Sequence, residues 1–295
     1  MTPPRLLIVA GLPRTGTTYL YHNLAKHPAF FAPFRKELNY FLTNHGRGPK
    51  WLHGLYKGMG PDQWGLDVSP SYFVDLASIE RIKAHGNRTK VLFCVRHPVD
   101  FALSWYKQQL THFRSFMPFG EFLESWTARR GDGHVTISLS GGHLRRSIEA
   151  FRQGFGKDML LYNFQEFTRD RLHILAAVER FMGVEPLDPA AYDDVRINAA
   201  DRRHLRPLNY LLSREWFISL VEHTVPHGLI RGVRDAMDRH SRPARQAAKP
   251  QTHEEEADWK RLAQEVLAED VRHYERLFRH HAVQLGDGSQ FTTCI

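Results

Sequence analysis

The sequence predicts an α/β fold: one domain, residues 1–295, with a central, mainly parallel sheet flanked by helices. Three short apolar runs, at residues 6–10, 91–95 and 159–162, lack period-two alternation and therefore indicate strands covered on both faces. Segments with helical periodicity lie between and after these runs. Strands that alternate with helices are typical of a parallel sheet, whose ligand site lies at the carboxyl ends of the strands.

Helices are predicted where apolar side chains recur every three or four residues. Residues 17–26 and 171–182 each carry such a stripe, and another covers residues 259–278. The last stripe predicts a C-terminal helix over about residues 254–281. Before it, residues 240–252 are rich in alanine, proline and cations, a composition that predicts an exposed excursion within the domain.

Composition excludes a disordered chain and a disulfide-stapled mini-protein. The 295 residues are 42% hydrophobic, and the net charge of +8 is compatible with an anionic ligand or partner. Only two cysteines occur, Cys94 in an apolar run and Cys294 near the end, which indicates a reducing compartment. The apolar stretch at residues 6–12 is too short to span a bilayer and lacks a signal-peptide cleavage site. We expect a cytoplasmic enzyme with no stable membrane insertion.

The loop after the first strand has the features of a phosphate-binding loop. It runs from Gly11 to Thr18 and leads directly into a helix, whose first backbone N–H groups point towards a bound anion. Gly16 allows close backbone approach, and hydroxyl side chains add donors. The spacing of the two glycines is that of the Walker loop, but Thr17 and Thr18 stand where that loop has lysine and then serine or threonine. The cation lies inside the loop instead, at Arg14.

A second anion motif follows the strand at residues 90–95. The strand ends in Arg96 and is followed by Pro98, a residue suited to the first turn of a helix. Ser104 comes eight residues after Arg96, about two turns into that helix, so that both side chains can face one phosphate. An ordinary surface ion pair and an exposed helical serine are the alternatives for these two residues.

These two motifs resemble those of sulfotransferases that use 3′-phosphoadenosine 5′-phosphosulfate (PAPS). The segment P-R-T-G-T-T resembles the family's 5′-phosphosulfate-binding loop, in which P-K-S-G-T-T is common, and Arg14 takes the place of the family's catalytic lysine. Arg96 and Ser104 resemble the residues that bind the 3′-phosphate. The resemblance implies PAPS as donor, adenosine 3′,5′-bisphosphate (PAP) as product and no metal. The loop residues that it implies for donor binding are Arg14, Thr15, Gly16, Thr17 and Thr18.

Two segments between the anion motifs resemble parts of the glycosaminoglycan-type and bacterial sulfotransferases. Residues 35–41 contain K-E-x-x-x-F, and residues 65–73 resemble E-x-S/T-P-x-Y-F. The first resemblance implies that Glu37 is the general base that takes the proton of the acceptor hydroxyl. Asp67 is the backup base. A solvated glutamate paired with a neighbouring cation is the alternative for Glu37.

The same segments supply the residues expected to contact the acceptor. We expect Asn39, Tyr40, Asp67 and Tyr72 to line its site. Glycosaminoglycan-type relatives have a histidine where this chain has Asn39 and a lysine where it has Val68, which leaves the acceptor class open. A small molecule, a glycan and a glycolipid with a free hydroxyl are all compatible, and the oligomeric state is equally open.

A third cationic segment lies later in the chain. Residues 198–206 resemble the loop that closes over the nucleotide in bacterial members, which implies that Arg202 and Arg203 contact the 3′-phosphate. A solvated arginine-rich face is the alternative. The pair His280 and His281 has no further ligands at the spacing of a closed zinc site, so we predict no metal site.

The resemblance as a whole predicts a bacterial, cytoplasmic PAPS-dependent sulfotransferase that moves a sulfuryl group to an acceptor hydroxyl by in-line displacement. Two other functions share parts of the pattern. A Walker-type kinase would explain the glycine spacing, although the missing lysine disfavours it. A basic nucleic-acid-binding module would explain the net charge, although the cations are dispersed and no nucleic-acid motif occurs.

Overall fold

The computed structural model describes residues 3–86, 89–112, 117–130, 133–193, 253–279 and 283–287. The predicted excursion at residues 240–252 and the arginine-rich segment at residues 198–206 lie outside the described residues. Within the described ranges the strands are β1 (Leu6–Gly11), β2 (Phe30–Phe31), β3 (Trp64–Val68), β4 (Thr89–Val95), β5 (Trp126–Arg130), β6 (Gly133–Ile137), β7 (Met159–Asn163) and β8 (Val283–Leu285).

Six of these strands form one sheet in the order β2-β3-β1-β4-β7-β8. Neighbouring strands are parallel, except that β8 pairs antiparallel with β7 at one edge. Strands β5 and β6 form a separate antiparallel pair. The mainly parallel sheet expected from the sequence is confirmed, and the three predicted strands are β1, β4 and β7.

The other three strands of the sheet were not predicted from the sequence, because they are short or are interrupted by other residue types. Strands β2 and β8 are only two and three residues long. Strand β3 contains Gly65 and Asp67, which interrupt its apolar run, yet it pairs with β1 and is buried along most of its length. Its neighbours in the sheet, rather than its own composition, make it a strand.

The α-helices of the described ranges, in chain order, are α1 (Thr17–Leu24), α2 (Gly48–Leu55), α3 (Ala77–Ala84), α4 (Pro98–His112), α5 (Phe119–Glu124), α6 (His143–Phe155), α7 (Phe164–Arg169), α8 (Arg171–Met182), α9 (His253–Val266) and α10 (Ala268–Leu277). The two predicted helices in the first two-thirds of the chain correspond to α1 and α8. Helix α8 has clear ends, since Asp170 accepts the N–H of His173 at its start and Gly183 adopts the left-handed conformation after its end. No helix in the described ranges is both long and apolar enough to cross a membrane.

The C-terminal apolar stripe forms two helices, which corrects the single helix expected over residues 254–281. The fully buried Leu267 separates α9 from α10 with a backbone φ of −99°. Helix α9 packs against α4 and α5, whereas α10 packs against α6 as well as α4. The break lets two halves of one stripe face different helices. Residues 280–281 lie outside the described ranges.

The sheet separates two apolar layers. Along β1 the side chains of Leu6, Ile8 and Ala10 join one layer, and those of Leu7 and Val9 join the other. All five are fully buried, as expected for a strand covered on both faces. The carboxyl ends of the parallel strands β1, β3 and β4 therefore meet at one edge between these layers, where a ligand site is expected.

Candidate functional site

A cavity of about 570 Å³ lies where β1 and β4 end. This volume is in the range of ligand-binding clefts. Four cations and one carboxylate line it: Arg14, Lys36, Arg96, Arg171 and Glu37. The predicted site residues that line it are Arg14, Gly16, Thr17, Thr18, Glu37, Arg96 and Ser104. The structure thus brings two separate anion motifs and the predicted base to one place.

The turn into α1 is built around Gly16. Its φ is +77°, and a Cβ at this position would lie 2.2 Å from the ring of Phe167, so both the backbone conformation and the space require glycine. Among the described residues no side chain caps the start of α1. Because Gly16, Thr17 and Thr18 line the cavity, the helix presents its unbonded N–H groups and its partial positive charge to this space.

Arg14 and Thr15 have different roles in the loop. Arg14 has a φ of +66°, a conformation that is uncommon for a non-glycine residue and is found at functional sites. Its side chain lines the cavity. Thr15 turns inwards, since its hydroxyl donates to the carbonyl of Leu12 at 2.6 Å and the residue is fully buried. The Thr15 side chain therefore shapes the loop, and only its backbone amide is left for a ligand.

The Arg96 guanidinium contacts the backbone of Arg14 at this edge of the sheet. Nη1 of Arg96 donates to the carbonyl oxygen of Arg14 at 3.1 Å, and the Arg96 guanidinium stacks over Phe164 at 4.9 Å from the ring centre. Burial lowers the pKa of both arginines; for Arg96 the Asp100 carboxylate opposes this effect and the Arg14 guanidinium adds to it. Two like charges held close together are stabilised by an anion bound between them.

Residues 36 and 37 bring a cation and a carboxylate to the same cavity. Nζ of Lys36 donates to the hydroxyls of Thr17 at 3.0 Å and Thr18 at 3.2 Å, and it lies 3.6 Å from Oε1 of Glu37. The Glu37 side chain is 45% exposed, so an acceptor hydroxyl can reach it. Sequence reasoning assigned no role to Lys36, although its place before Glu37 in K-E-x-x-x-F was an available signal.

Other lining residues were also missed. Gln108 follows Ser104 by four residues on α4, so the same face of the helix presents both, and this spacing could have identified it. Arg171 is the first residue of α8, and its guanidinium lies 5.5 Å from the ring centre of Tyr19 on α1. No local pattern marks Arg171, because its position depends on the packing of α1 and α8 in one apolar layer.

The four residues expected to contact the acceptor do not line the cavity. Asn39, Tyr40, Asp67 and Tyr72 are only 8%, 4%, 0% and 0% exposed. Tyr40 instead stacks on Trp51. Burial raises the pKa of Asp67 to about 6, against two side-chain hydrogen bonds that lower it. Asp67 therefore does not line this cavity, and its role as the backup base stays a prediction.

The remaining site predictions fall outside the described residues. They are the expected contacts of Arg202 and Arg203 with the 3′-phosphate, and they stay predictions. In the part of the chain that the structure describes, no group of three or more histidine, cysteine, aspartate or glutamate side chains is arranged to hold a metal ion.

Comparison with known families decides what kind of protein carries this cavity. Residues 4–199 match the sequence profile of the sulfotransferase domain. The chain belongs to the sulfotransferase family. The matched region of this sulfotransferase contains both anion motifs and Glu37, and it ends before Arg202 and Arg203. The family resemblance noted in the sequence is confirmed.

Two similar curated proteins are mouse enzymes. Heparan sulfate glucosamine 3-O-sulfotransferase 3B1 of Mus musculus is 29% identical over 189 residues, which are 60% of this chain and 46% of the relative. Heparan sulfate glucosamine 3-O-sulfotransferase 6 of the same species is 35% identical over 191 residues, which are 62% of this chain and 53% of the relative. The chain spans about half the length of these relatives. Because they are mammalian, the expected bacterial origin stays a prediction.

A solved structure shares the architecture. The sulfotransferase from Alicyclobacillus acidocaldarius superposes with a TM-score of 0.52 and 18% sequence identity, covering 78% of this chain and 100% of that chain. At this identity the likeness shows the fold alone. The fold of the present chain is therefore that of a sulfotransferase, with a mainly parallel sheet flanked by helices and a phosphate-binding type of loop after β1.

Proposed function

We propose that this sulfotransferase moves a sulfuryl group from PAPS to the hydroxyl of an acceptor and releases PAP. One observation carries the proposal: Arg14 and Arg96 follow neighbouring strands and line one cavity beside the uncapped start of α1, where the Arg96 guanidinium donates to the Arg14 carbonyl. Such a site suits a ligand with several negative charges. PAPS has a phosphosulfate at one end of its ribose and a phosphate at the other, so two arginines from separate motifs fit it.

The donor-binding roles follow the two motifs. The loop before α1 holds the 5′-phosphosulfate with the Arg14 guanidinium, the hydroxyls of Thr17 and Thr18 and the amides of residues 15–18. Arg96 and Ser104 hold the 3′-phosphate, and Arg202 and Arg203 complete that contact. A nucleotide without a 3′-phosphate loses the second set of contacts, which explains how the site selects its donor.

Transfer requires a proton acceptor and stabilisation of the leaving oxygen. The bound donor supplies a sulfur atom whose bond to the 5′-phosphate oxygen breaks, with the electron pair leaving on that oxygen. Glu37 takes the proton of the acceptor hydroxyl while the acceptor oxygen forms its bond to sulfur. Arg14 and the N–H groups at the start of α1 stabilise the negative charge that grows on the departing oxygen.

Lys36 supplies a second cation close to the reacting groups. Its ammonium contacts both threonine hydroxyls of the donor loop and lies within ion-pair distance of Glu37. It therefore stands between the group that holds the sulfuryl oxygens and the base. We assign to Lys36 the stabilisation of charge on those oxygens, with its contacts to Thr17 and Thr18 keeping it in place when no donor is bound.

The acceptor class and the cellular location belong to the same proposal. The relatives named above act on heparan sulfate glucosamine, as their names state, and this supports a carbohydrate hydroxyl as acceptor. Cys94 is a buried free thiol, which supports a reducing, cytoplasmic location. The step described needs only a base and fixed positive charge, so we propose that it requires no metal.

The test is transfer of radioactive sulfate from labelled PAPS to a panel of acceptors in the presence of EDTA. The panel contains a heparan-type oligosaccharide, an N-acetylglucosamine glycoside and p-nitrophenol. We expect Glu37→Gln to lower the rate on the best acceptor by roughly 10²- to 10⁴-fold. The matched control is Glu80→Gln, because Glu80 is likewise a glutamate paired with a lysine but lies 72% exposed on α3. Equal rates for wild type and Glu37→Gln would exclude Glu37 as the base. No sulfate transfer from PAPS, together with phosphate transfer from magnesium-ATP to the same panel, would favour a kinase.

A further inference from the structure

A buried hydrogen-bond network ends at the backbone of the segment that carries Glu37. We propose that Asp67, through Ser69 and Tyr72, is a positioning residue that holds residues 37–41 in the conformation in which Glu37 faces the cavity. The proposal rests on the proposed role of Glu37 as the base. It gives a function to a carboxylate that lies too deep to touch a substrate.

The network has two arms that leave the two oxygens of one carboxylate. On one arm the Ser69 hydroxyl donates to Oδ1 of Asp67 at 2.5 Å, and the N–H of Asn39 donates to the Ser69 oxygen at 3.0 Å. On the other arm the Tyr72 hydroxyl donates to Oδ2 of Asp67 at 2.6 Å, and the N–H of Phe41 donates to the Tyr72 oxygen at 3.3 Å. One carboxylate thus controls two backbone amides of the same segment.

The direction of these bonds requires an acceptor at both ends of the side chain. Each hydroxyl has one proton, and each uses it on Asp67, which leaves its oxygen lone pairs for a backbone N–H. An asparagine at position 67 would present an NH₂ group to one hydroxyl and leave one of the facing protons without an acceptor. The carboxylate is therefore needed for its two acceptor oxygens, which a similar amide does not supply.

The segment needs this support because its backbone is strained. Glu37 and Asn39 have φ values of +62° and +48°, in the left-handed region that residues other than glycine rarely adopt. Such conformations persist only where several contacts enforce them. The N–H of Glu37 donates to the carbonyl of Val68 at 3.0 Å, and the side-chain amide of Asn39 donates to the carbonyl of Glu37 at 3.2 Å. Hydrogen bonds therefore join Glu37 to the residue that follows Asp67 and join Asn39 to Glu37.

The same stretch is fixed to the strand that leads into the donor loop. Asp67 lies opposite Ile8 in the register of β1 and β3, and the N–H of Ser69 donates to the carbonyl of Val9 at 3.1 Å. Asp67, Ser69 and Tyr72 are fully buried. Glu37 and the donor loop are therefore positioned from one rigid edge of the sheet, which is what alignment of a base with a bound donor demands.

Amide hydrogen exchange tests the network without any activity assay. We expect Asp67→Asn to accelerate exchange at the amides of Asn39 and Phe41 by roughly tenfold or more, because the amide cannot accept from both hydroxyls. Tyr72→Phe should accelerate exchange at Phe41 alone, whose N–H loses its acceptor. The matched control is Tyr56→Phe. The Tyr56 hydroxyl is also buried and donates to the carbonyl of Leu66 at 3.1 Å, outside the network. Unchanged exchange in both variants, or equal acceleration in the control, would overturn the proposal.

The transfer rate then shows whether the network acts through Glu37. On the best acceptor of the panel, we expect Asp67→Asn to lower kcat by about 100-fold while the Kd for PAP changes little. In a Glu37→Gln background the same substitution should change the residual rate by less than about twofold. An additive loss would show general damage and reject the proposal. If Glu37→Gln alone has no effect, the proposed base is rejected, whereas the exchange result still decides the network.

Discussion

The donor side and the base side of the cavity are built in different ways. On the donor side, Arg14, Arg96 and Ser104 point into the cavity, and glycine provides the space for the loop. On the base side, only Lys36 and Glu37 of the K-E-x-x-x-F segment line the cavity, and the side chains that follow are buried.

This difference explains what a motif means in each region. A segment that binds an anion must turn its donors towards the ligand, so its characteristic residues are the binding residues. In the segment that carries Glu37, by contrast, most of the characteristic residues contact other parts of the protein and not the cavity. Asn39 and Tyr72 therefore look like site residues in the sequence, while in the structure Asn39 donates to the carbonyl of Glu37 and Tyr72 accepts the N–H of Phe41.

The largest expected effect lies on the donor side. Arg14→Ala removes the guanidinium to which we assign the stabilisation of the leaving oxygen, so we expect kcat to fall by roughly 10²- to 10³-fold, the usual cost of losing such a donor. Arg14→Lys should retain most of the rate, because the family places a lysine here. Steady-state transfer to the best acceptor measures both. A rate within twofold of wild type for Arg14→Ala would contradict the assigned role.

The next effect concerns stability and comes from Asp67, which lies on the base side but does not line the cavity. The pKa of Asp67 is raised to about 6 in the native state, above the value of about 4 in an unfolded chain. The native state thus holds this proton more tightly, and the stabilisation present below pH 4 is lost as the pH rises through 6. We expect the free energy of unfolding of wild type, relative to Asp67→Asn, to fall by about 2.3 kcal/mol between pH 4 and pH 7.

Denaturant unfolding at several pH values measures this difference. Asp270, whose pKa is also raised to about 6, is present in both proteins and therefore cancels. A difference that is flat with pH would mean that Asp67 does not titrate in the native state. On this account the ionised Asp67 lowers the free energy of unfolding at neutral pH and in exchange positions the proposed base, a cost that the donor loop does not carry.

A smaller effect concerns the packing of the donor loop. Gly16→Ala places a methyl group against Phe167 in a backbone conformation that alanine disfavours, so we expect a loss of about 2 kcal/mol in the free energy of unfolding. Gly54→Ala is the matched control, because nothing lies within 4 Å of a Cβ there and the residue is in helix α2. That substitution should stabilise the protein by up to about 1 kcal/mol. Thermal unfolding of the pair would contradict the packing argument if both lost equal stability.

The smallest effect tests the residue that links the two sides. Lys36→Met removes the ammonium that contacts Thr17, Thr18 and Glu37 but keeps the aliphatic chain. We expect kcat to fall by about tenfold, in line with the loss of one charged hydrogen bond, while the Kd for PAP rises by less than threefold. Equal losses in kcat and in PAP affinity would show that Lys36 merely binds the donor.

The sequence predicted the parts of the molecule in which local pattern and tertiary environment agree. Strands β1, β4 and β7 are covered on both faces, so their continuous apolar runs are enough to identify them. The donor loop has its own glycines and lies at a strand end. Both features are visible without knowing what packs against them.

The missed features depend on neighbours that are distant in the chain. Strand β3 is a strand because β1 and β2 flank it, and the break at Leu267 reflects two different packing partners. The ammonium of Lys36 reaches hydroxyls 18 and 19 residues away. A polar residue that holds a loop and one that holds a ligand have the same appearance in a sequence, which is why the burial of Asp67 and Tyr72 away from the cavity could not be predicted.

The most direct test of the account is calorimetric titration with PAP, with ADP and with ATP, in EDTA and in magnesium, for wild type and Arg96→Ala. We predict metal-independent binding of PAP that is at least about tenfold tighter than that of ADP, because Arg96 and Ser104 recognise the 3′-phosphate. Arg96→Ala should weaken PAP binding by at least about tenfold and ADP binding by much less, because ADP has no 3′-phosphate. Equal affinity for PAP and ADP, or preference for magnesium-ATP, would contradict the central claim that this cavity binds a 3′-phosphorylated sulfuryl donor.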